Sequence, residues 1–150
     1  MSSQLSSQLS DGLVTFALGD REYAAPLASI REVVRLDGLA DLPGMTPPLA
    51  GVLDVRGTAL PVLDLRPRGA ASSRGDVLVM EGNEESLVGV AVDRVTAVLE
   101  AGDLPPGAGG TEELPAYVVQ VLRGRSGPVF LVDLAQMVDS ARAGARQAVR

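Results

Sequence analysis

No cysteine, histidine, tryptophan or lysine occurs anywhere in this 150-residue chain. Each absence closes a route. Without cysteine there is no disulfide framework, and the expected compartment is the cytoplasm. Without histidine or cysteine, the usual general base, thiol nucleophile and soft metal ligands are missing. A Ser-Lys arrangement falls with lysine, and no histidine is left to accept a phosphoryl group. The chain therefore reads as a non-enzyme that needs no cofactor. No apolar run is long enough to span a bilayer. Met1–Gly12 lacks the basic residues and apolar stretch of a secretory signal, so no membrane insertion is expected. The net charge of −6 and pI near 4.6 argue against nucleic-acid binding, which needs a concentrated basic surface. All 13 basic residues are arginine; a biased genome accounts for that better than a need for bidentate pairing.

What remains is an aliphatic chain. Apolar residues make up 46% and aromatics only 3%, so the core must be built from Val, Leu, Ala and Ile, a composition that favours strands. Met1–Ser10 repeats Ser-Ser-Gln-Leu and reads as a disordered tail within 1–12. Leu13–Leu18 and Glu22–Leu27 form a predicted hairpin, and Ser29–Leu36 mixes helical and strand spacing, as a helical turn running into a strand would. Pro43, Pro47 and Pro48 make Asp37–Leu49 a loop. Arg66–Asp76 reads as an exposed connection. Val77–Met80 and Leu87–Val92 make another hairpin, and Asp93–Leu99 again a turn and a strand. Ala101–Pro115, with three prolines and four glycines, is a second long loop. Tyr117–Leu122 and Pro128–Leu134 pair last, and a helix spans Val132–Val149, with Asp133 early and Arg142 and Arg146 late, as the helix dipole prefers. The two halves look alike: Ala59–Leu65 echoes Pro128–Leu134. A mainly β fold of two five-stranded, barrel-like units follows, roughly 13–70 and 75–134, with a C-terminal helix and tail over 133–150. Each unit alone is marginal in size, so a shared apolar interface is expected.

Few residues carry chemistry. Glu84-Glu85 and Glu112-Glu113 sit in loops as solvated charge, and Gly107–Gly110 lacks the context of a phosphate loop. Tyr23 and Tyr117 read as core anchors opening equivalent strands, and Asp64, Asp93 and Asp133 as caps of the turns that begin there. The conspicuous feature is the hairpin Gly51–Leu65. Its strands, Val52–Val55 and Ala59–Leu65, flank an Arg56-Gly57-Thr58 break, where a bare turn would use Asn-Gly or Asp-Gly. Arg56 is either held by an internal ion pair with Asp54 or Asp64, or is a forked donor offered to a partner.

Phe16–Tyr23, Ile30–Val33, Gly51–Gly57, Leu60–Leu65 and Val88–Val95 occur in an order and spacing that resembles the CheW-like domain family of chemotaxis coupling scaffolds. The resemblance covers Leu13 to Val138. It implies two intertwined SH3-like five-stranded barrels, and an adaptor joining chemoreceptor signalling tips to a chemotaxis-type histidine kinase, whose regulatory domain is itself CheW-like. It sets Ile30, Glu32, Arg56, Gly57, Val95 and Val98 on the receptor side, and Val33, Val34 and Leu42 on the kinase side. Ordinary core packing is the competing reading for Ile30, Val33, Val95 and Val98. The chain departs from the family pattern at Asp54, where Asn is usual, and at Gln120, where Gly is usual. Alternatives are a CheW-like scaffold of a pilus-motility or gene-regulation pathway, a domain that competes with the true coupler, and a duplicated small-ligand-binding barrel.

Overall fold

The computed structural model describes residues 12–66, 74–82 and 86–148. The expected N-terminal tail apart from Gly12, most of the Arg66–Asp76 connection and Glu84-Glu85 lie outside them; Gly12 is buried and accepts the Leu27 N–H at 2.9 Å, so it belongs to the fold and not to a tail. Ten strands form: β1 (Leu13–Leu18), β2 (Arg21–Pro26), β3 (Glu32–Arg35), β4 (Leu49–Val55), β5 (Thr58–Asp64), β6 (Asp76–Glu81), β7 (Leu87–Val92), β8 (Arg94–Leu99), β9 (Val118–Arg123) and β10 (Pro128–Val132). Helix α1 (Leu134–Ala148) follows. Asp133 accepts the Gln136 N–H at 3.1 Å, the side-chain cap expected at its start. The mixed signal over Ser29–Leu36 resolves into a 3-10 turn at Leu27–Ser29 and then β3.

The strands sort into two sheets of five, in the orders β8-β1-β2-β10-β9 and β3-β6-β7-β5-β4. Set β1–β5 against β6–β10 and the duplication is plain. In each sheet the central hairpin comes from one half of the chain and its flanking strands from the other. The spatial units are therefore not the sequential segments 13–70 and 75–134: each half gives two strands to one sheet and three to the other. The physical cause lies after β2. The 3-10 turn leads the chain out of the first sheet, and the Arg31 N–H donates to Val79 O at 2.7 Å, seating β3 beside β6. The matching parallel pairs β2–β10 and β7–β5 are the seams of this exchange.

Exchange explains why the central hairpins are apolar on both faces. Val77, Val79 and Ala91 face a cluster inside the second sheet with Leu53, Leu60 and Val62, while Leu13 and Ala24 face one inside the first with Leu122, Val129 and Leu131. The alternate residues Phe16, Leu18, Leu78, Met80, Val88 and Val90 meet between the sheets, where Leu134, Met137 and Val138 of α1 cover them. That shared cluster is the interface two marginal units require.

Each sheet curls until the segment after one edge strand meets the opposite edge. Ala40 pairs with Val52 of β4, and Pro106 with Leu122 of β9. Gly51 is required by the first closure: a Cβ there would stand 2.5 Å from Ala40 O. Pro61 is tolerated inside β5 because the ladder to β7 begins at Val62. Its partner on β4, Val52, turns its own N–H and C=O outward to Ala40, both at 2.8 Å.

Candidate interaction site

The β4–β5 hairpin turns through two residues, Arg56 and Gly57, between Val55 and Thr58. Their φ angles, 51° and 84°, are the pair of left-handed positions a two-residue hairpin demands. Glycine suits the second. Arginine at the first is costly, and among the described residues it is the one non-glycine with positive φ. Asp54 steadies the turn by accepting the Gly57 N–H at 2.8 Å, which an asparagine oxygen could do as well. The family departure at Asp54 therefore keeps the turn's hydrogen bond.

Arg56 pairs with neither Asp54 nor Asp64. Its Nη2 donates to Glu32 Oε2 at 2.5 Å, linking the hairpin tip to β3 across the curl of the second sheet. Asp64 is taken by Arg66, whose nearly buried guanidinium donates to both its oxygens at 2.8–2.9 Å. The Glu32–Arg56 pair stays wet, with the arginine side chain 72% exposed. The hydrogen bond from Arg56 holds the Glu32 carboxyl below its ordinary pKa, and Glu32 raises that of Arg56.

The equivalent turn in the other half is built differently. The echo of Ala59–Leu65 in Pro128–Leu134 sets Leu60 with Val129, so Leu53–Leu60 answers to Leu122–Val129 and Asp54–Ala59 to Arg123–Pro128. Four residues follow in each hairpin, 55–58 and 124–127, and Arg56 answers to Arg125. Val55 and Thr58 still pair as strand and leave two residues of positive φ at the tip. In the other turn the Gly124 N–H donates to Gly127 O, and Gly127 alone of the four has positive φ.

Around this tip the singled-out residues divide. Ile30 and Val95 are both half-buried against the cluster between the sheets, one after each central hairpin. Val98, on edge strand β8, is 64% exposed. Val33 and Leu42 are exposed, whereas Val34 points to the other face of β3 and packs on the second sheet's inner cluster. The structure thus joins Glu32 to Arg56 directly, brings Ile30 and Val95 to one cluster, and gives Val34 a share of the core.

Several supporting residues were not legible beforehand. Asp93 caps no turn of its own: it accepts the Gly19 N–H at 2.6 Å, 74 residues away, locking the β7–β8 junction to the β1–β2 turn. Asp76 likewise accepts the Val95 N–H at 2.8 Å. Tyr23 lies inside β2 while Tyr117 precedes β9, so they do not open equivalent strands. Only the duplicated strand order, had the exchange been seen, would have pointed to these contacts.

A curled, strand-exchanged pair of sheets with a charged pair at one hairpin tip defines a β scaffold that presents surfaces. The profile of the CheW-like domain family matches residues 12–142, and the chain belongs to that family. It is 28% identical over 95 residues to a probable chemotaxis protein CheW of Rhizobium etli, covering 61% of each chain. It is 31% identical over 91 residues to the chemotaxis protein CheW of Helicobacter pylori, covering 57% of this chain and 54% of that one. The matches thus span about six-tenths or less of those relatives' length. The fold is similar to that of the scaffolding protein TtCheW from Thermoanaerobacter tengcongensis, with a TM-score of 0.66 at 19% identity over 83% of this chain and 84% of that one. No helix among the described residues is long and apolar enough to cross a membrane.

Proposed function

We propose that this chain is a non-enzymatic cytoplasmic adaptor that couples chemoreceptor signalling tips to a chemotaxis-type histidine kinase. Its work is binding alone. The observation that carries the reading is the exposed Glu32–Arg56 pair at the tip of the β4–β5 hairpin, in a chain matched to the CheW-like family over nearly its whole length. Arginine presents a planar fork that suits a carboxylate or a carbonyl pair on a helical tip. Glu32 holds that fork in place before a partner arrives, which lowers the ordering cost of association. Ile30, two residues before Glu32, and Val95 and Val98 on β8 of the first sheet complete the receptor surface in this reading, and Gly57 lets the backbone approach closely. We place the kinase contact on Val33 and Leu42, two exposed aliphatic side chains along and beyond β3, with Val34 supporting them from beneath.

The test mixes the purified protein separately with a receptor-tip fragment and with a kinase regulatory domain. Binding to both at micromolar concentrations is expected, with Arg56→Ala weakening the first and Val33→Asp the second. Binding to neither at tens of micromolar would overturn the coupling function.

A further inference from the structure

The chain has four aromatic residues, and they converge. Tyr23 stacks on Phe16 with ring centroids 5.8 Å apart and planes at 17°, and leans on Phe130 at 5.8 Å and 44°. Tyr23 and Tyr117 then line one hollow of about 350 Å³ between the β1–β2 turn and α1. Buried Leu18 and Met137 give it an apolar base, and exposed Asp20 and Arg21 stand on its lining with Ser140. None of these residues belongs to the proposed receptor or kinase surface.

We propose that this hollow binds a small, flat heteroaromatic molecule carrying both a hydrogen-bond donor and an acceptor. The volume sits at the small end of ligand pockets, which begin near 300 Å³. One turn of a helix with its side chains fills roughly 400–600 Å³, so the hollow suits a single ring system and not a docked element. Two phenol rings on the lining offer aromatic contact, and the Met137 thioether adds a polarisable one. Both tyrosine hydroxyls and Ser140 can donate or accept, Arg21 only donates, and Asp20 only accepts. Asp20 and Arg21 lie 4.0 Å apart, both widely exposed, a loose pair that leaves each group free to turn toward a ligand. Burial, with Tyr117 next in weight, pushes the Tyr23 pKa up, so its hydroxyl keeps its proton.

The inference is independent of receptor coupling and is tested on the full chain alone. Indole, benzimidazole and adenine serve as probes, and the methyl carbons of the methionines as reporters. The Met137 methyl is expected to shift saturably with a midpoint on the order of 1 mM, as befits a fragment of about nine or ten heavy atoms, while the Met45 methyl stays put. Ala141→Leu, on the hollow's lining, fills the space and should abolish the shift without lowering the thermal midpoint. Tyr117→Ala should raise the midpoint concentration by roughly tenfold. A Met137 signal unmoved by all three probes overturns the proposal. So does saturation that survives Ala141→Leu, or a response to a tryptophan-containing peptide but to none of the free molecules.

Discussion

Arg56 occupies a turn position that glycine or asparagine fills more cheaply, by about 1–2 kcal/mol, and its side chain reaches an exposed carboxylate 24 positions back in the sequence. Those two facts set opposite expectations for two substitutions. Arg56→Gly removes the strain along with the fork, so the thermal midpoint should hold or rise by a few degrees while receptor-tip association falls by tenfold or more. Arg56→Ala should weaken association equally and leave the midpoint nearly unchanged. A midpoint that drops steeply in both would assign Arg56 to stability instead. The pair also has a pH signature. The folded pKa of Glu32 is depressed below its ordinary 4.5, so its stabilisation is fully present above that value and is lost as pH falls through the folded pKa. Following the Glu32 carboxyl carbon by NMR should give a midpoint below those of unpaired glutamates, and Arg56→Ala should return it to the ordinary value. The turn itself was legible in the sequence as an arginine where Asn-Gly belongs. Its partner was not, because Asp54 and Asp64 are nearer in the chain and nothing local records that the sheet curls Glu32 toward the tip.

At the scale of elements, the aliphatic runs were read almost to the residue: Leu13–Leu18 and Leu87–Val92 are strands as expected. Runs buried on both faces announce themselves by composition alone. The closing bridges were not legible, since Ala40 and Pro106 lie in proline-rich loops whose period says nothing. Gly51 is the test of the first closure. In Gly51→Ala the new methyl would sit 2.5 Å from Ala40 O and 2.7 Å from Leu39 Cγ, so the bridge must part. We expect a loss of about 1–3 kcal/mol and a midpoint lower by roughly 2–4 °C per kcal/mol. Hydrogen exchange should quicken at the Ala40 and Val52 amides while those of Gly107 and Arg123, in the other closure, keep their protection. Arg66 holds the end of β5 in a different way, its guanidinium shared between Asp64 and the Arg74 carbonyl. Arg66→Ala should cost about 1–3 kcal/mol by leaving that carboxylate short of donors. Arg66→Lys should recover only part of the loss, because an ammonium cannot make the fork; denaturant unfolding measures both.

For the whole molecule, the echo between Ala59–Leu65 and Pro128–Leu134 revealed a duplication, since these become β5 and β10, the last strands of the two halves. It could not reveal the exchange. A two-faced apolar strand states that it has neighbours on each side, not which half of the chain supplies them. Exchange makes each half incomplete. Chains 1–70 and 71–150 expressed alone should fail to give a cooperative thermal transition, and expressed together should form a one-to-one complex that restores it. Independent folding of either would show that the sheets do not depend on each other. The same topology bears on how the protein can be handled. All five strands of the second sheet lie consecutively between Glu32 and Val92, while β1 and β10 belong to the first sheet and α1 packs on the cluster the two sheets share. A fluorescent tag or surface tether fused before β1 therefore hangs from the sheet that does not carry Arg56, and one fused beyond α1 hangs from the helix over the shared cluster. Tension drawn between two such tethers would enter through β1 and α1, at neither of the strands that carry the charged turn.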